Sequence, residues 1–100
     1  MKHFLIKYRF QTGTQADWHK DIAAFIAAID SDPALKGRIG YRCFKVRDSA
    51  DYYHLASPKD DQAPKDLQSR DFFSSYTAKT KLVSNGGVEV LPLEVIAETA

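Results

Sequence analysis

The chain predicts an α+β fold of the ferredoxin-like kind, ordered β-α-β-β-α-β. A four-stranded antiparallel sheet would carry two helices on one face. Three observations carry this expectation. The chain opens on a period-two run, HFLIKYRF. A long apolar stripe at helical spacing follows from Trp18 to Ile29. Two further strand-like runs then meet at the short turn DSAD, ahead of a second helical stripe and a last strand-like run.

In β1, Phe4, Ile6, Tyr8 and Phe10 alternate with His3, Lys7 and Arg9, and Leu5 is the apolar exception on the second face. QTG breaks the run. Thr14 with Asp17 three residues on makes a weak capping box. Trp18, Ile22, Phe25, Ile26 and Ile29 then form one face of an amphipathic helix. Pro33 ends it by disfavouring helical geometry at Asp32. RIGYRCFKVRD reads as a second strand, with Ile39, Tyr41 and Cys43 on one face and Gly40, Arg42, Phe44 and Val46 on the other. DYYHLAS is the third, antiparallel strand. SPKDDQAPKD reads as a polar loop with a short helical turn begun at Pro64. Ser69 is expected to cap the second helix, whose stripe is Phe72, Phe73, Tyr76, Thr80 and Val83, and NGG to end it with Gly86 or Gly87 in a left-handed cap. VEVLPLEVIAE is the fourth strand. Pro92 removes a ladder donor there and marks an edge, a bulge or a change of partner sheet.

One hundred residues are read as a single domain, 1–100, with 44% hydrophobic and 27% charged residues. Fourteen basic against thirteen acidic side chains leave a net charge of +1, scattered rather than clustered. Nucleic acid and anionic membrane are therefore not the expected partners. The lone Cys43 excludes a disulfide framework and fits a reducing cytoplasm. MKHFLIKYRF is too short and interrupted for a signal peptide or membrane span. A sheet covered on one face leaves an apolar face open, Leu5 included. The expected remedy is a homodimer packing sheet on sheet, with the C-terminal strand turning toward the partner at Pro92.

SRDFFSSYTAKTKL followed by NGGVEVLPLEVI, with the element order and length, resembles the antibiotic-biosynthesis monooxygenase-like family of dimeric α+β barrels, over residues 3–98. The resemblance implies a small-molecule pocket between sheet and helices in each subunit. It also implies two chemistries: cofactor-free oxygenation of polyphenols or quinols, and haem degradation. The haem-degrading pattern sets an Asn on the first strand, a Trp after the third and a His on the second helix. Here Tyr8 and Tyr76 occupy the first and last positions, and HLASPKD holds no Trp. Tyr76 retains the capacity to ligate haem iron; the cofactor-free branch, whose pattern is less strictly defined, is the leading reading and implies no cofactor.

That branch needs a base, a polar anchor and flat apolar walls. His54 and Tyr76 are the candidate catalytic residues. Tyr8, Trp18, Phe72 and Phe73 are candidates for binding a small aromatic substrate. Each has a plainer alternative. Phe72, Phe73 and Trp18 also suit ordinary core packing, and His54 a surface or interface strand position, since Tyr52 and Tyr53 make both faces of β3 aromatic. No His, Cys, Asp and Glu spacing points to a metal. The competing function is a non-catalytic dimeric protein that holds an apolar small molecule, and haem binding is a third.

Overall fold

The structure, a computed structural model, describes residues 2–100. Seven elements follow in order: β1 (Lys2–Arg9), α1 (Gln15–Ser31), β2 (Ile39–Lys45), β3 (Asp51–Pro58), α2 (Ala63–Gln68), α3 (Asp71–Val83) and β4 (Glu89–Glu94). The strands pair antiparallel throughout, in the order β2-β3-β1-β4. This is the ferredoxin-like arrangement, with β4 on an edge where Pro92, opposite Phe4, has no second neighbour to bond.

The register sorts the side chains into two faces. Ile6 stands opposite His54 on one side and Val90 on the other, Tyr8 opposite Tyr52, and Cys43 opposite His54. By strand alternation Phe4, Ile6, Tyr8, Tyr41, Tyr52 and His54 therefore look toward the helices, while Leu5, Phe44, Tyr53, Leu55, Leu91 and Leu93 look away. The core lies on the helical side. Trp18, Ile22, Phe25 and Ile29 of α1 are buried there with Tyr8, Tyr52 and Tyr76. Each large apolar side chain contributes about 1.5–3 kcal/mol of transfer free energy. α1 begins as the sequence predicts, with Thr14 Oγ1 accepting from the Asp17 amide at 3.4 Å, and it ends at Ser31.

Three expectations need correction. Ser69 does not cap the second long helix: it closes α2, and the N-cap of α3 is Arg70, in extended backbone with no side-chain cap. Arg70 is held there instead by an ion pair with Asp32, 2.7 Å away. The stretch after β3 is more than a loop with one turn. Asp60 accepts from the amides of Gln62 and Ala63 and pairs with Arg38, which also reaches Asp66 at 2.8 Å, so the six residues of α2 are pinned at both ends. Strand β4 stops at Glu94, short of the predicted run to Glu98.

α3 ends as expected, with Gly86 at φ 83° donating back to Lys81 O at 2.8 Å. Asn85, at φ 53°, shares the left-handed turn. No helix among the described residues is long and apolar enough to cross a membrane.

Candidate functional site: a histidine–tyrosine cluster below an apolar cavity

β3 sets His54 at the centre of the helix-facing side, and no solvent reaches it (0% exposed). The expectation of a surface or interface histidine is overturned. Tyr53, not His54, takes the open face, because the pairing of Ile6 with His54 fixes the register.

Three side chains from three elements meet at this ring, and a fourth, Trp18, stands behind one of them. Trp18 Nε1 of α1 donates to the Tyr8 hydroxyl of β1 at 2.8 Å, and that hydroxyl lies 2.9 Å from His54 Nε2. On the other side, Tyr41 of β2 and Tyr76 of α3 bring their hydroxyls to 3.0 and 3.1 Å from His54 Nδ1. Indole N–H only donates, so the Tyr8 oxygen is its acceptor and the Tyr8 proton is free to point at Nε2. The proton of His54 then belongs on Nδ1, between Tyr41 and Tyr76. One N–H serves one linear bond at a time, so the two hydroxyls share Nδ1 and also bond to each other.

Burial sets the charge states. It pulls His54 from 6.5 down to about 4, so the ring is neutral near pH 7. Desolvation likewise pushes Tyr8, Tyr41 and Tyr76 well above the usual tyrosine range, leaving them protonated donors. The Cys43 thiol is pushed up to about 12 by burial and is no nucleophile.

Above the cluster a partly open cavity of about 320 Å³ separates α2 and α3 from the sheet. His54, Tyr41 and Tyr76 stand at its polar end, and Phe4, Ile6, Leu67 and Phe73 are among its apolar walls. The wall hydroxyls of α3 are turned inward: Thr77 donates to Phe73 O, and Thr80 to Tyr76 O at 2.8 Å. The neutral hydroxyl handles presented to a ligand are thus those of Tyr41 and Tyr76 at the histidine end, and Gln68 and Lys81 add polar groups elsewhere on the lining. Among the described residues no group of three or more His, Cys, Asp or Glu is arranged to hold a metal ion.

The residues singled out from sequence divide into three sets. His54, Tyr76 and Phe73 line the cavity. Tyr8 and Trp18 stand behind them and fix the ring, and Trp18 also stacks on Tyr76 with centroids 5.6 Å apart. Phe72 turns to Phe25, 5.9 Å away, away from the cavity lining. Tyr41 is the member that sequence reasoning missed. Its alternation with Ile39 and Cys43 gave the face, but only the β2–β3 register brings it to His54.

No protein-family model matches the chain, and no curated protein is significantly similar to it. Solved structures do match. SnoaB, a cofactor-independent oxygenase from Streptomyces nogalater, superposes with a TM-score of 0.77 at 16% identity, over 97% of this chain and 94% of that one. A structure described as an antibiotic biosynthesis monooxygenase matches with a TM-score of 0.68 at 7% identity, over 97% and 100%. A dimeric ferredoxin-like protein of unknown function from Jannaschia sp. matches with a TM-score of 0.70 at 18% identity, over 95% and 100%. These superpositions span nearly the whole architecture described above: this chain has the fold of the antibiotic-biosynthesis-monooxygenase-like proteins.

Proposed function

We propose that the protein is a cofactor-independent monooxygenase that oxidises a small phenol- or quinol-like aromatic with dioxygen. The observation that carries this is the position of His54 Nδ1, 3.0 and 3.1 Å from two tyrosine hydroxyls at the polar end of an otherwise apolar cavity. A cavity of roughly 150 Å³ holds one benzene, so about 320 Å³ suits two fused or linked rings.

In this reading Phe73 and Ile6 flank the ring, and the substrate hydroxyl bonds to the Tyr41 and Tyr76 hydroxyls that His54 Nδ1 positions. A base near 4 is too weak to hold a phenol proton by itself: the gap to an ordinary phenol near 10 is roughly 8 kcal/mol. Loss of an electron makes the phenol far more acidic, so proton and electron leave together, the electron to dioxygen and the proton into the Tyr41–Tyr76 hydroxyl pair, since His54 already carries its proton on Nδ1 and accepts from Tyr8 at Nε2. The resulting superoxide joins a ring carbon, and the proton returns to the peroxo oxygen. Loss of water then leaves a carbonyl. One oxygen atom enters the product and the other departs as water with the ring and hydroxyl hydrogens. The largely apolar walls favour this sequence by limiting the water around the radical pair.

The weak basicity of His54 also supports a second reading, a protein that holds the aromatic without turning it over. Oxygen uptake with naphthols and hydroquinones, under isotopically labelled dioxygen, decides between them. Catalysis places one labelled oxygen in the product, with a rate that falls in Tyr76→Phe. Binding with no uptake above the buffer rate would sink the enzymatic reading.

The working unit in this proposal is a homodimer. Phe44, Tyr53, Leu91 and Leu93 are 49, 37, 40 and 38% exposed on the sheet face turned away from the helices. A patch of that kind is best covered by a second copy, and the Jannaschia protein of this fold is dimeric.

A further inference from the structure

The cavity has one charged side chain on its lining, and it is a cation. Lys81 lies on α3, and no carboxylate lines the cavity with it. Among the described residues its ammonium group forms no ion pair, in contrast to Lys7 and Lys79. Lys81 follows Tyr76 by five residues on α3, about 1.4 turns toward the C-terminal end of the helix. The shallower groove continuing from the cavity past Phe4, Pro58, Pro64 and Gln68 tilts the same way. It presents Lys2, Lys59 and Lys65 against Asp60 and Asp61, and Asp60 is already committed to Arg38.

We propose that the ligand of this cavity is an aromatic acid, a two-ring hydroxyarene with a singly charged carboxylate at the end remote from its hydroxyl, and that Lys81 selects it by pairing with the carboxylate. This rests on the cavity being the substrate site, as above. The hydroxyl goes to the His54 end because the protonated tyrosines and neutral imidazole there offer both donors and acceptors, whereas an ammonium only donates. The carboxylate goes to the mouth because it keeps part of its hydration there while gaining the cation. A carboxylate placed among the apolar walls would lose its water without compensation.

The test compares two probes, a hydroxynaphthoate with hydroxyl and carboxylate on opposite rings and the corresponding naphthol. Each is titrated against the full chain and followed by Trp18 and ligand fluorescence. The wild type should bind the hydroxynaphthoate about fivefold more tightly, as expected of a partly exposed ion pair, and the preference should shrink as salt is raised. Lys81→Met should bring the two affinities together, and Lys81→Glu should reverse their order. Lys81 is exposed, so neither variant threatens the core, and far-ultraviolet circular dichroism verifies the fold. Equal wild-type affinities, or a preference that survives Lys81→Met, would overturn the role of Lys81 while leaving the cavity reading intact. Failure of both probes to bind would overturn the cavity reading itself, and the proposal with it.

Discussion

Acidification should destabilise this protein through a single buried ring. The unfolded chain protonates His54 near 6.5, whereas the folded protein resists until about 4. A folded-state pKa lowered in this way means that the unfolded chain binds the proton first. Stability is therefore complete above 6.5, falls as pH drops through that value, and levels off below about 4. The whole gap is worth about 3 kcal/mol, of which about 2 kcal/mol is gone by about pH 4.5. No water reaches the ring, so solvent screening does not dilute the effect. Urea unfolding followed by the fluorescence of Trp18, itself 2% exposed, measures it directly. His54→Gln is the reference: it is less stable at neutral pH, but it lacks the titrating ring. Asp32, held low by Arg70, Asp60, held low by Arg38, and Asp66, held low by Gln62 and then Arg38, lose their contributions mainly at lower pH, and do so in both proteins. The wild type should thus lose about 2 kcal/mol more than the variant between about pH 7 and about pH 4.5. Equal losses would refute the placement of a neutral, desolvated His54 at the centre of the cluster.

Other consequences follow from the same geometry. Tyr8→Phe strands both the Trp18 indole N–H and His54 Nε2, and should cost about 2–4 kcal/mol, read as a lowered thermal midpoint. Tyr76→Phe removes one of the two hydroxyls at Nδ1. It should lower the oxygen-uptake rate by roughly 10²-fold with a smaller change in stability, since Tyr41 can still accept from Nδ1. Arg38→Met frees α2 from its anchor and should speed amide exchange in Ala63–Gln68 relative to α1, with weaker ligand binding because Leu67 and Gln68 line the cavity. Leu91→Lys with Leu93→Lys should yield monomers in sedimentation if the open sheet face pairs two copies.

Sequence pattern made some of this legible and left the rest to tertiary contacts. The α1 stripe, its Thr14 cap and its stop at Pro33 all rest on local rules, and all are where those rules put them. Pro92 marked the edge strand for the same reason, a missing donor. α2 is barely marked in the sequence beyond Pro64, because six residues carry too little periodicity. What orders them is Arg38, some thirty residues earlier, meeting Asp60 and Asp66. Ser69 looked like a cap by residue type, yet the chain reserves it for the end of α2, and the Arg70–Asp32 pair sets the start of α3. The site was legible in its members and not in its arrangement. His54 and Tyr76 were identifiable as polar groups among aromatics. Tyr52 and Tyr53 hid the face of His54, and Tyr41 gains its meaning only through strand pairing.

The central claim is that a phenolic hydroxyl enters the cavity and bonds at the His54 end. The measurement that tests it most directly is ring-nitrogen and aromatic NMR of isotopically labelled protein, titrated with a naphthol in the absence of oxygen. The account predicts a shift of the His54 Nδ1 resonance, together with signals of Tyr41, Tyr76 and Phe73, while Tyr53 and Phe44 on the open sheet face stay put. Perturbations confined to the open face, or saturation binding that leaves the His54 nitrogens unmoved, would contradict it.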